Sequence, residues 1–244
     1  NSEGAAVSTH RGLRAYRKSL GFIAAYPGTV HSISCSVLGT EGEQMERDYW
    51  YSTLRDWREL ESAASVGRRA GERTIGRLGA RKLPTMKAPV LYSPDVARGL
   101  VGHFIGAIRG GSQYRRASFL LEAAGQRVFP DWFALSERPH LLKALASAPF
   151  DHEGVTTRDR ELVEAGVLLG YVLSTYSARK LGLRTTGNAG GTHNLLVHGR
   201  GRDFDQMLQL MDRGLYVTEL MGQGVNGVTG DYSRGAGGFW VENG

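Results

Sequence analysis

The chain has 244 residues, 41% of them hydrophobic and 22% charged, which is the composition of a folded globular protein and not of a disordered or fibrous one. No apolar run approaches the ~20 residues that a membrane-spanning helix needs, so no membrane partner is expected. One cysteine, Cys35, excludes an internal disulfide framework and suits a reducing, cytoplasmic compartment. The net charge of +6 gathers near Arg14, Arg17 and Lys18, along residues 68–82, and at Arg115 and Arg116. No nucleic-acid-binding module accompanies it, so these clusters read as solvated faces and nucleic acid is not an expected partner.

The first 57 residues read as strands and loops. Residues 30–38 alternate apolar positions with serines, and residues 45–52 carry Tyr49, Trp50 and Tyr51; both patterns predict strands. The spacing of Val66, Ala70 and Leu78 predicts a helix over 62–81, weakened by four glycines. Lys82-Leu83-Pro84 reads as a linker, which places the expected domains at 1–82 and 83–244. A strand at 89–92 leads to a helix opened by Ser93, Pro94 and Asp95, with Val96, Leu100, Ile105 and Ile108 on its apolar side and Gly110-Gly111 as its stop. His103 shares that apolar side. A second helix is predicted over 114–124 and a strand over 132–135.

Beyond Asp151, the runs 160–163 and 167–173 flank Glu164-Ala165-Gly166 as a hairpin. A short helix at 176–181 precedes the glycine-rich loop 185–191. Asp203 caps a helix with Phe204, Met207, Leu208 and Met211 on one side, and the tail from Leu215 alternates strands with glycine turns. Segregated helices and hairpins predict an α+β class: a mixed amino-terminal portion followed by a carboxy-terminal region of antiparallel sheet with a few helices. The chain opens with Asn1 and closes on Asn243-Gly244, a hairpin signal with no returning strand, so a piece of a longer protein is expected.

Four patterns invite a chemical reading. Residues 222–227 match G-x-G-x-x-G, but the residues that follow read as strand or turn, where a dinucleotide site requires a helix. Ser233 lies three residues after its preceding glycine, and the hydrolase elbow needs two. His31 and Cys35 on one strand stand ~13 Å apart, beyond the reach of a catalytic dyad, so Cys35 reads as a buried small residue. Asp151-His152-Glu153 is ligand-rich, yet neighbouring side chains on an extended segment diverge, and His193 and His198 lack a carboxylate or thiol companion.

Residues 176–182 (YSARKLG) followed by 186–191 (TGNAGG), and the long stretch 214–244, resemble the TldD/PmbA family. The likeness extends through Arg47-Asp48-Tyr49-Trp50-Tyr51, residues 80–85 and 151–155. These strings look like the PmbA (TldE) branch. The resemblance implies a cytoplasmic protein that pairs with a TldD-like sister subunit in a zinc metallopeptidase acting on unfolded peptides, or a homodimer when alone. TldD-like chains carry H-E-x-x-x-H on a helix and a late cysteine. Here the matching positions read Arg98, Gly99 and His103, with Val217 where the cysteine stands. That implies no cofactor in this chain and zinc in the partner. His103, Asn188, Asn194 and Tyr232 are the expected peptide-lining residues, beside the glycine-rich loops 187–191 and 222–227. The alternative implied by an older family label is a regulator that binds protein or DNA, of the gyrase-modulator type.

Overall fold

The computed structural model describes residues 1–19 and 21–244. They form an α+β protein of two compact units, Asn1–Thr85 with Leu141–Ser147, and Met86–His140 with Ala148–Gly244.

In the first unit, β1 (Ser2–Arg17), β2 (Ile23–Glu41) and β3 (Gln44–Leu54) make an antiparallel meander in that order. The strands are far longer than the local pattern at 30–38 and 45–52 predicts. Continuous cross-strand pairing carries the ladder through glycines that propensity alone would reject, as at Gly12 opposite Gly28. Gly42, at φ 57°, takes the first position of the two-residue turn into β3. Helix α1 (Ala63–Ile75) starts where Ser62 accepts from the Ser65 N–H. It buries Val66, Ala70 and Thr74. It stops at Gly76, short of the predicted residue 81, and the next turn tightens to i→i+3 bonds from Arg77 to Thr74 and from Leu78 to Ile75. Trp50 donates to Glu61 at 3.1 Å and lies under the guanidinium groups of Arg69 and Arg73. Cys35 is half-buried, not sunk in the core, and buried His31 spends Nδ1 on Thr9 Oγ1 at 3.1 Å. Residues 141–147 join this unit through Arg55, which donates to the carbonyls of Ala144 (2.8 Å) and Leu145 (2.7 Å).

The second unit has two sheets. One runs β10 (Gly235–Val241), β9 (Gly214–Met221), β4 (Val90–Tyr92), with β4 parallel to β9 and β10 antiparallel. The other runs β7 (Val167–Leu168), β6 (Arg160–Glu164), β5 (Ala134–Glu137), β8 (Leu195–His198), all antiparallel. The predicted hairpin is there. Ala165 and Gly166 have φ 47° and 77°, the pair of positive values a type I′ turn requires. Glycine is needed at the second place because a Cβ would stand 2.1 Å from the Phe129 carbonyl oxygen. Strand β5 begins two residues later than expected, since residues 130–133 close a turn from Phe133 N–H to Pro130 O.

Helix α2 (Pro94–Ala107) follows its Ser93 signal but stops before Gly110. Gly110 instead opens α3 (Gly110–Tyr114), where a Cβ would stand 2.3 Å from Ser177 Oγ, so glycine is needed for close packing. The predicted helix over 114–124 does not form. Buried Gln113 and Ser118 turn their side chains back to the Ala107 carbonyl at the end of α2, at 2.7 and 2.8 Å, and Arg116 and Glu122 take positive φ. The intervening residues therefore fold as turns. Helices α4 (Thr175–Lys180) and α5 (Phe204–Met211) each open with a capping box, from Ser174 and Asp203. The core joins Phe104 and Ile105 of α2, and Ile108 just after it, to Leu135, Leu162, Val163, Leu168 and Val172. Among the described residues no helix is long and apolar enough to cross a membrane.

Candidate functional site: an aromatic cleft and a buried polar centre

Two places in the second unit collect polar side chains. They differ in how those groups are used.

The first is built on Glu137 at the end of β5, whose side chain is almost wholly enclosed. Its Oε2 accepts from Arg160 Nε at 2.8 Å. Its Oε1 accepts from the His193 N–H at 2.7 Å and Asn188 Nδ2 at 2.8 Å, and His193 Nδ1 stands 2.9 Å away. Burial pushes this carboxyl up, but the hydrogen bonds from His193 and Arg160 and the Arg160 charge outweigh it and bring the pKa down to about 2. Asn188 is saturated as well: it also donates to the Gly191 carbonyl at 3.1 Å and accepts from Thr186 Oγ1 at 2.7 Å. Next to it Asn194 donates to the Arg138 carbonyl at 2.8 Å. Asp151 works in the same way, its buried carboxylate taking the N–H groups of Glu153, Val155 and Ala189. Loop 185–191 is thus pinned to β5 by a carboxylate and an amide whose groups are engaged, while Nη2 of Arg160 in the same centre is buried without a hydrogen-bond partner among the described residues.

The second place is a cleft of about 510 Å³ between α2, the turns after α3, and the loop 223–234. Phe104, Phe119 and Phe129 form much of its apolar wall, and its polar residues are Ser112, Asn226, His103, Gln223, Tyr232 and Arg234, of which the first two spend side-chain atoms on nearby backbone. His103 does not sit on the buried face of α2, as its spacing predicts. It is exposed, one step round the helix from buried Phe104, and its ring meets Tyr232 edge-on at 5.9 Å. The loop holds its shape through hydrogen bonds within itself. Asn226 Oδ1 accepts from the Val228 N–H at 2.9 Å, and the Ser233 N–H reaches the Gly224 carbonyl at 2.6 Å. No helix follows residues 222–227, in keeping with the rejection of a dinucleotide loop. Gly230, at φ 83°, lets the loop approach Phe119, whose ring a Cβ would meet at 3.1 Å.

The structure therefore brings His103 and Tyr232 together and leaves Asn188 and Asn194 outside the cleft, in the Glu137 centre. Arg98 is exposed on α2 and paired with Asp95 at 3.0 Å, while Gly99 faces open space. Val217 is buried on β9, and its carbonyl accepts the Ser93 N–H at the start of α2 at 2.9 Å. The Arg98, Gly99, His103 and Val217 positions offer one imidazole, a guanidinium, a bare backbone and an isopropyl group. That set does not fit a zinc ion, which takes three N, S or O donors. Among the described residues no group of three or more His, Cys, Asp and Glu could hold a metal ion. Sequence reasoning missed Glu137, Gln223 and Arg234. Gln223 and Arg234 lie within strings noted for their glycines and family likeness, but nothing in those strings marks their side chains, and contacts made across the fold single out all three.

Residues 85–244 match the PmbA/TldA metallopeptidase C-terminal domain, and residues 1–78 match the PmbA/TldA metallopeptidase central domain. The chain is 52% identical over all 244 residues to the metalloprotease PmbA of Escherichia coli O157:H7, covering 54% of that protein. It is 50% identical to the metalloprotease PmbA homolog of Haemophilus influenzae, again over its full length and 54% of the relative. The chain thus spans about half the length of these curated relatives. A crystal structure from Bacteroides thetaiotaomicron, described as a candidate modulator of DNA gyrase, superposes with a TM-score of 0.92 at 29% identity, over 98% of this chain and 54% of that one. TldE from Thermococcus kodakarensis shares the fold with a TM-score of 0.78 at 22% identity, over 90% of this chain and 52% of that one.

Proposed function

Because the chain belongs to the PmbA/TldA metallopeptidase family, we propose that it acts as a PmbA/TldE-type subunit of a heteromeric zinc metallopeptidase in the cytoplasm. In this reading it holds unfolded peptide and supports assembly, while a TldD-like sister subunit carries the zinc. The donor set carries the proposal. Hydrolytic zinc sites use three protein ligands and a water, with a carboxylate as base. Here Arg98 is turned to Asp95, Gly99 has no side chain, Val217 is buried and apolar, and His103 stands without a second donor. No catalytic step is assigned to this chain through a metal.

What its own residues supply is a binding surface. The cleft offers aromatic walls, with His103, Tyr232, Gln223 and Arg234 for the polar groups of a peptide. This mixture of apolar area and a few polar groups is usual for ligand clefts. Asn188 and Asn194 enter the proposal as residues that hold loop 185–191 in place, because their amides are engaged by Glu137, Gly191 and Arg138.

The test is zinc content and peptidase activity of the full-length protein, alone and mixed with its TldD-like partner. The expected result is zinc and hydrolysis in the mixture and neither in the protein alone. Stoichiometric zinc with hydrolysis by this protein by itself would overturn the reading.

A further inference from the structure

The cleft has a feature that its relation to peptide binding does not by itself require. Among its lining residues Arg234 carries the one fixed charge, and none is Asp or Glu. The nearby carboxylate of Asp231 is not part of the wall and is occupied by the Thr229 hydroxyl. Arg234 is half-buried and anchored by a single bond, from Nε to the Met221 carbonyl at 3.1 Å. That bond fixes the plane of the guanidinium and leaves Nη1 and Nη2 without a protein partner among the described residues. The Gln223 amide and the Tyr232 hydroxyl, which line the same cleft, are likewise uncommitted among the described residues. The cleft also has an apolar hollow. Phe104 and Phe129 pack edge to face at 4.9 Å, and Phe119 leaves 47% of its surface in water. An anchored, partly desolvated guanidinium is suited to a planar carboxylate, which it binds through two parallel N–H groups. A half-wet phenyl wall is suited to a large apolar group.

From this pairing we infer that the cleft binds the free carboxy-terminus of a peptide whose last residue is large and apolar. The terminal side chain fills the hollow between Phe104, Phe119 and Phe129. The terminal carboxylate is held by Arg234 Nη1 and Nη2, with the Gln223 amide as a further donor. The inference rests on the peptide-holding reading above and adds to it the end of the chain that is held and the residue that reads it. Net charge complementarity decides against a basic or amino-terminal occupant: a cation would meet Arg234 with no carboxylate on the wall to offset it.

The test is isothermal titration of the full chain with four probes: acetyl-triglycyl-phenylalanine as the free acid, the same peptide as its amide, its aspartate-ended counterpart, and N-acetylphenylalanine. The acid is expected to bind about tenfold tighter than the amide, the loss that follows from removing one charge-assisted contact. The aspartate-ended peptide is expected to bind as weakly as the amide. Arg234→Gln is expected to bring the acid–amide ratio to about one, and Arg234→Lys to restore part of it. If either variant fails to fold, the acid–amide ratio of the unaltered protein still decides. Equal binding of acid and amide overturns the inference and leaves the peptide-holding function standing. N-acetylphenylalanine keeps the terminal side chain, carboxylate and acylated nitrogen, so it is expected to bind comparably to the tetrapeptide; tetrapeptide binding without any binding of N-acetylphenylalanine overturns the inference. Binding of none of the probes overturns it outright. The function reading then stands or falls on zinc and activity in the mixture, a readout this titration does not share.

Discussion

The Glu137 centre and the His103–Tyr232 cleft lie in one unit and draw on the same kinds of residue, yet they are opposites in how those residues are engaged. At Glu137 each carboxylate oxygen has at least one donor within 2.8 Å, and Asn188 is bonded through both ends of its amide. In the cleft the His103 ring, the Tyr232 hydroxyl and two nitrogens of Arg234 have no hydrogen-bonded protein partner among the described residues. Buried polar groups that satisfy one another make scaffold, because each costs free energy unless it is paired. Polar groups held unpaired beside apolar surface are what a ligand can use. The contrast separates a framework from a site more sharply than residue type does.

The largest expected effect tests the framework side. Glu137→Ala removes the buried carboxylate and leaves the half-buried Arg160 without its counter-ion, at a cost of about 3 kcal/mol. Hydrogen exchange of the β5 and β6 amides reads this locally, and unchanged protection would break the comparison at its root. Next comes pH. Glu137 titrates at about 2 in the folded chain against an ordinary 4.5. A depressed carboxyl stabilises the fold above the unfolded value and loses that contribution as pH falls. About 3 kcal/mol should therefore disappear between about pH 4.5 and pH 2, and Glu137→Gln should flatten that part of a denaturation series.

Asn188→Ala is expected to cost about 1–3 kcal/mol by leaving its partners short of hydrogen bonds, with peptide affinity following only the loss of fold. Smallest in stability are His103→Ala and Tyr232→Ala. The edge-on ring pair is exposed, so each should cost about 1 kcal/mol or less in a melt while weakening peptide binding by the full chain. Peptide binding that ignores both substitutions, or that falls with Asn188→Ala in a protein of unchanged stability, would reverse the assignment of site and scaffold.

Much of the local architecture was legible in the residues themselves. Ser93-Pro94 and Asp203 mark helix starts, and Ala165-Gly166 marks a hairpin, because proline's fixed φ, the Asp203 cap and a tight turn are set by residues within four positions of one another. The α+β class and the family likeness were legible for a related reason: periodicity and long exact strings survive without knowledge of contacts. Where local signals met tertiary demands, the latter prevailed. Gly110 reads as a helix stop and serves as a close-packing point against Ser177, and residues 114–124 read as a helix and yield to the buried side chains of Gln113 and Ser118.

The division holds for the site as well. That positions 98, 99 and 217 carry no zinc donor is a statement about side-chain chemistry, and the sequence by itself determined it. Which polar residues remain available was decided only by the tertiary structure. Asn188 and His103 are equally plausible ligand groups on paper; one is consumed by a carboxylate 51 positions away in the chain, and the other faces a cleft shared with Tyr232, far along the sequence. Hydrogen-bond satisfaction is a property of neighbours in space, and those neighbours arrive from strands and loops whose meeting no local pattern records.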